Sequence, residues 1–337
     1  MSKKRLLSLV LAVVLCVTFV VSLSACKKDG GSSEPAYVNP LTGVASEKAP
    51  EAGRPLVVSI DNVGDAVPQS WLSKADMVYE FPVEGKQTRL QAVYFSEFPE
   101  AFGPVRSVRP YFVDLAREYK AIHLGHGWSP EAQSYLTSNV VPYINAMNSD
   151  VSFYRNSAKA APHNSYVKWE SVKAKIDEMG WWEEAQDIEP FNFLGDGEEA
   201  AGKGAVKVYF NYSSSKCEFT YDAEKNTYVR TVGGREYVDL ETGEPIETTN
   251  ILVQKVSSQV LDDKGRLRID MCAGGEAMLF TNGKVIKGTW ERADLDSRTI
   301  FKDKDGNQFK LGVGKTWVEI ADQNCSITYD APAEEEK

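Results

Sequence analysis

The chain has 337 residues, 42% of them hydrophobic, with 38 Lys and Arg against 48 Asp and Glu, a net charge of −10. That balance argues against a nucleic-acid-binding protein and against a chain lying flat on an anionic bilayer, because both partners repel acidic surface. The length accommodates two domains.

Residues 1–25 read as an export signal rather than as fold. Lys3, Lys4 and Arg5 form a positive n-region, an apolar run follows, and Leu23-Ser-Ala-Cys26 closes it as a lipobox. The motif implies cleavage before Cys26 and lipid on its sulfur. The protein is then held on the outer face of a bacterial cytoplasmic membrane, with the membrane as its first partner. Cleavage removes three Lys/Arg and no Asp/Glu, leaving 35 basic against 48 acidic side chains, a net charge of −13. Residues 26–52, rich in Lys, Asp, Gly, Ser, Glu and Pro, lack apolar periodicity and read as a lipidated tether.

Residues 53–195 read as an α/β domain, a sheet with helical cover. Strands are predicted at 55–61, 76–81, 88–95 and 121–124, and helices from Pro110, from Ser129 and over 165–179, the last stopped by Gly180. Residues 192–204 are a linker by composition. Residues 205–323 read as a mostly β domain of short alternating strands separated by Gly and Asn turns, and 324–337 as an acidic tail.

All three histidines lie between positions 123 and 163. The run from Gly103 to Ala132 also holds Arg106 and Arg109 before one helix start. Gly125-His-Gly127 precedes a second start, marked by Ser129 as N-cap and Pro130 at the first helical position. Strand-to-helix loops gather at one edge of an α/β sheet and present backbone N–H groups to anions. Arg106, Arg109, His126, Arg155, His163 and Asn164 are therefore expected to line one concave anion-binding site. The competing reading places the arginines in pairs with carboxylates and His123 in the core.

Other chemistries fit less well. Ser129 near His126, or Ser107 near His163, lacks the elbow of a nucleophilic hydrolase. His123, His126 and His163 with Asp114 or Glu131 have no metal-site spacing, so no metal and no cofactor are assigned. Asp61, Asp76 and Glu80 are acid or base candidates near strand ends, where turn and cap roles are commoner. The pairing of Cys217, Cys272 and Cys325 stays open. Trp290 and Trp317, in alternating strands, are expected to pack in the core.

Several stretches together resemble one family: Arg54-Pro-Leu-Val-Val-Ser-Ile-Asp-Asn62, Leu72-Ser-Lys-Ala-Asp-Met-Val-Tyr-Glu80, Gly103-Pro-Val-Arg-Ser-Val-Arg109, Ala161-Pro-His-Asn164, Phe280-Thr-Asn-Gly-Lys-Val-Ile-Lys-Gly-Thr-Trp290 and Gly314-Lys-Thr-Trp317. They resemble the YerB-type lipoproteins, with paired N- and C-terminal domains of unknown function. The resemblance implies an envelope lipoprotein with two domains and carries no activity. The expected function is binding of an anionic envelope ligand or a cell-wall protein partner. The alternative is an enzyme, a hydrolase or transferase, acting on an anionic envelope polymer or lipid-linked precursor.

Overall fold

The computed structural model describes residues 37–332 except 51–52, 149, 183–185 and 213–214. The export signal, Cys26 and the start of the tether lie outside the described residues. In the first segment the strands are β1 (Leu56–Asp61), β2 (Met77–Pro82), β3 (Thr88–Tyr94), β4 (Ile122–Gly125), β5 (Tyr143–Asn145), β6 (Phe153–Arg155) and β7 (Ser165–Lys168). Its helices are α1 (Pro110–Glu118), α2 (Pro130–Thr137) and α3 (Trp169–Met179). The second segment contributes β8 (Lys207–Tyr212), β9 (Ser215–Asp222), β10 (Thr227–Val232), β11 (Asn250–Lys255), β12 (Gly275–Thr281), β13 (Lys284–Glu291), β14 (Ile300–Asp303), β15 (Thr316–Ala321) and β16 (Ser326–Asp330).

One 11-stranded sheet runs through both segments. Its order is Lys203–Gly204, β13, β12, β11, β15, β2, β3, β1, β4, β5, with β14 beside β13. The joint is β15, a C-terminal strand that lies parallel to both β11 and β2. The central strands β1, β2, β3 and β15 are buried along their whole length; β1, β2 and β15 are accordingly mostly apolar, while β3 also buries Thr88, Arg89 and Gln91. A second, six-stranded sheet, whose longer strands are β8, β9, β10 and β16, packs against it through Phe210, Phe219, Tyr228 and Tyr237.

The helical cover is thinner than the sequence implies. Strand and helix alternate through one β–α–β unit, β4–α2–β5, whose strands pair in parallel. Residues 165–168, expected to open a helix, are β7 instead. Tyr166 and Val167 are buried there, and the strand pairs with both Ala101–Phe102 and β6. The helix begins only at Trp169 and ends at Gly180, whose φ of 67° is the left-handed stop expected.

Two end assignments are corrected. The tether becomes part of the fold by Tyr37: Leu41 is fully buried, and the Asn39 amide donates to Asp76 at 3.1 Å. The Asn39 side-chain oxygen also accepts from the Leu41 N–H at 2.7 Å, so one polar side chain both builds the turn and anchors it. The tail holds β16, which pairs with β8 from Asn211↔Ser326 to Lys207↔Asp330; its short polar–apolar alternation is masked in sequence by the charges that follow. Trp290 and Trp317 are core residues as expected, Trp290 on the inward face of an alternating strand and Trp317 in β15, which is buried on both faces.

Candidate functional site

The parallel strands β1, β4 and β5 end at a common edge, marked by Asp61, Gly125 and Asn145. Residues 105–108 run across that edge as extended chain. The Arg106 N–H donates to the Ser59 carbonyl at 2.9 Å, and the His126 N–H donates to the Arg106 carbonyl at 3.0 Å. The approach is close enough to require glycine at 125, where an added Cβ would lie 2.4 Å from Val108 Cγ2. Gly127, at φ 86°, turns the chain into α2, and its N–H is held by Asn145 Oδ1 at 3.0 Å. Ser129 caps the helix by accepting from the Ala132 N–H at 3.2 Å.

A closed ring of contacts forms above this edge. His163 Nδ1 lies 2.8 Å from Asp61 Oδ2, and Arg106 Nε lies 3.0 Å from the same oxygen as an ion pair without aligned hydrogen-bond geometry. His126 Nδ1 makes a very short contact with the buried Ser165 hydroxyl. Arg155 donates to Asn164 Oδ1 at 3.0 Å and sits 5.3 Å from the centre of the Phe153 ring, which in turn packs 4.7 Å from His126. Because His163, Asn164 and Ser165 are consecutive, the ring closes within a span of about 7 Å along the chain. Lys159 donates to the Ala66 and Pro68 carbonyls and feels the Asp61 charge.

The electrostatics are cationic. Burial, then the charges of Arg155 and Arg106, hold the His126 imidazole below its ordinary range. Burial pushes Lys159 down to about 8 against the pull of Asp61. Burial and the neighbouring Arg109 lower the Arg89 guanidinium to about 10, with Arg106 adding to the repulsion. Arg106 and Lys159 feel Asp61, Arg109 grips Glu84, Arg89 feels both carboxylates, and Arg155 acts on His126, so basic side chains crowd this edge.

Of the six residues expected to converge, Arg106, His126, Arg155, His163 and Asn164 do so. Arg109 is drawn aside: its guanidinium grips Glu84 bidentately, with Nε to Oε2 at 3.0 Å, and Nη1 donates to the Val108 carbonyl at 2.9 Å. Burial raises Glu84, but Arg109 more than offsets this and holds the carboxyl below its ordinary value. The cavities beside Trp169, beside Arg298, beside Arg230 and beside Lys315 are lined by other residues than the five that converge. His123 is a core residue, with Nε2 near Ser59 and Gln91 at 3.3 and 3.2 Å and its pKa pushed down to about 3 by burial. Sequence reasoning passed over Lys159, Phe153 and Ser165. The turn-rich, proline-bearing stretch around 156–164, reaching back to Asp61, was the available signal.

A second cluster lies at the joint of the two segments. Glu80 and Glu319 are register partners on β2 and β15. Arg230 donates to Glu80 at 2.8 Å and stacks 4.2 Å from Tyr237 and 4.6 Å from Trp317. Glu319 accepts from Tyr212 at 2.8 Å and Trp317 at 3.0 Å, and burial beside Glu80 raises its pKa well above the ordinary value. Glu80, Cys217 and Glu319 bring three ligand atoms within metal-chelating reach, but Arg230 already supplies the cation there. The three cysteines 217, 272 and 325 are free thiols.

A sheet continuous across two segments, with a cationic edge in the first, defines a paired-domain protein. Residues 41–182 match the N-terminal domain, and residues 206–318 the C-terminal domain, of the protein family of unknown function DUF3048. The chain belongs to that family. It is 35% identical over 311 residues to a Bacillus subtilis (strain 168) protein named "Putative lipoprotein YerB", covering 91% of this chain and 93% of the relative. The crystal structure of YerB protein from Bacillus subtilis superposes with a TM-score of 0.77 at 34% identity, covering 87% of this chain and 99% of that one.

Proposed function

We propose that this protein is a lipoprotein, anchored through Cys26 on the outer face of the bacterial cytoplasmic membrane, that binds an anionic group of an envelope component. The anchoring is supported by the lipobox and by the lipoprotein name of its relative. Replacing Cys26 with Ala releases the protein from membranes; continued membrane lipid labelling of the variant contradicts the anchor.

The binding reading rests on one observation: Arg106 and His163 share the single Asp61 oxygen and Lys159 feels the same carboxylate, while Arg155 beside them hydrogen-bonds Asn164, so more basic side chains gather here than the one Asp61 charge balances. In an acidic protein such a surplus is a local attractor for anions. Calorimetric titration with pyrophosphate tests it: binding is expected in the parent and lost in an Arg106→Ala/Arg155→Ala variant that retains its melting temperature. Equal binding by both proteins contradicts the site.

A second reading, an enzyme on an anionic envelope polymer, draws on the Asp61–His163 pair. A carboxylate that fixes Nδ1 leaves Nε2 to act as a base, and among the described residues Nε2 of His163 has no protein partner. Hydrolysis of a phosphodiester probe that disappears in His163→Asn would establish it; no turnover in the parent dismisses it.

A further inference from the structure

β6 is the free edge of a three-stranded sheet whose order is Ala101–Phe102, β7, β6. We infer that this edge is a docking strand, and that its occupant is an extended acidic segment of a partner protein, which adds as a fourth strand. The inference rests on the anion-binding reading and goes beyond it by naming the partner's backbone conformation.

The hydrogen-bond pattern sets which groups face outward. The Asn156 N–H donates to the Asn164 carbonyl at 3.0 Å, so 156 and 164 form a hydrogen-bonded pair. In an antiparallel ladder such pairs alternate with pairs whose N–H and C=O groups point away from each other. Arg155, opposite Ser165, and Phe153, opposite Val167, therefore turn their backbone groups to the open side. An independent contact agrees: the Ser165 carbonyl points away from β6, accepting from the Val105 N–H at 2.7 Å.

The side chains fit the same partner. Phe153 and Arg155 lie on the face that carries His126, while Tyr154 lies on the other, with its ring 5.6 Å from Tyr166. Phe153 is 42% exposed and Tyr154 41%. Protected edges are kept short and charged; this one is short, but it displays two aromatic rings, and aromatic, Met and Arg side chains are those enriched at protein interfaces. Strand addition supplies backbone hydrogen bonds for affinity, with alternate side chains for specificity. On the Phe153/Arg155 face the incoming side chains meet Arg155, whose charge together with that of Arg106 acts on the adjoining His126, and this calls for carboxylates; on the Tyr154 face they meet an aromatic ring, which calls for apolar groups.

The probe is a seven-residue peptide alternating glutamate and valine, titrated into the full-length protein by calorimetry, with amide hydrogen exchange as the second readout. Binding is expected, with new protection of the Phe153 and Arg155 amides. Phe153→Pro removes an outward N–H without breaking the ladder to β7 and weakens binding about tenfold; Arg155→Ala weakens it by a similar factor, and the lysine–valine peptide does not bind. If a peptide N-methylated on alternate amides binds as well as its parent, the contact is electrostatic alone: strand addition is wrong while the anion site stands. If pyrophosphate binds but the peptide does not, the inference falls by itself; if neither binds, both fall. Protection of these amides that grows with protein concentration, without peptide, would assign the edge to a second copy of the chain and overturn the proposal.

Discussion

The Nδ1 of His163 lies 2.8 Å from Oδ2 of Asp61, across 102 positions of chain. Asp61 ends a central strand and is almost wholly buried, so its charge is fixed where Arg106 and His163 meet. Asp61→Asn keeps the shape and removes the charge. Loss of a charge-assisted contact costs about 2–3 kcal/mol, while pyrophosphate binding tightens because the carboxylate opposing it is gone. Urea unfolding and calorimetry on the same variant separate the two effects; weaker binding in a folded Asp61→Asn protein contradicts the electrostatic account.

The joint of the two segments depends on Arg230. It is fully buried and its Nη2 neutralises Glu80, 150 positions earlier. Arg230→Met strands a buried carboxylate and costs about 3–5 kcal/mol. The double variant Glu80→Gln/Arg230→Met recovers most of that loss. Equal destabilisation in single and double variants shows that packing against Tyr237 and Trp317, not charge pairing, is the main term.

Glu319 gives a pH dependence with a defined sign. Burial, then the Glu80 charge, raises its folded pKa well above the ordinary value, with Arg230 opposing. The folded state therefore holds a proton that the unfolded state releases. This contribution is complete below the ordinary glutamate range, near 4.5, and is lost as pH rises toward the folded value. Glu319→Gln removes that slope, so the stability gap between variant and parent moves in the variant's favour from pH 5 to pH 8. A constant gap contradicts the assignment.

Thiol reactivity follows the same physics. Burial pushes the Cys217 thiol well above its ordinary value, and burial also raises Cys325 strongly, with Glu319 adding to both. Native protein at pH 8 is expected to react with iodoacetamide at Cys272 before either of these, by peptide mapping. Early labelling of Cys217 shows that the joint opens.

Much of the fold is legible in the sequence where a strand carries its own signal. β1 and β2 announce themselves as apolar runs, β3 by its β-branched and aromatic residues after the Glu84-Gly-Lys turn, and β8 to β13 as short segments between Asn and Gly turns. The edge cluster is legible because Gly125, Ser129 and Pro130 act locally and the histidines crowd together. Arg109 was misplaced because its partner Glu84 sits in a turn 25 positions earlier, and no local pattern links them. The Glu80–Arg230–Glu319 cluster is invisible for the same reason: β15 enters the sheet between strands of both segments, and that parallel pairing has no turn to mark it. β16 was hidden by the charged residues that follow it.

The central claim, that anions bind at the Asp61 edge, is tested most directly by following the three histidine ring signals by NMR while pyrophosphate is added. His126 and His163 stand in the cluster, and His123 is an internal control buried beneath it between Ser59 and Gln91. The account predicts saturable shifts of the His126 and His163 signals together, absent in Arg106→Ala/Arg155→Ala, with His123 unmoved. Unchanged signals for His126 and His163 at saturating pyrophosphate, or identical shifts in the double variant, contradict it.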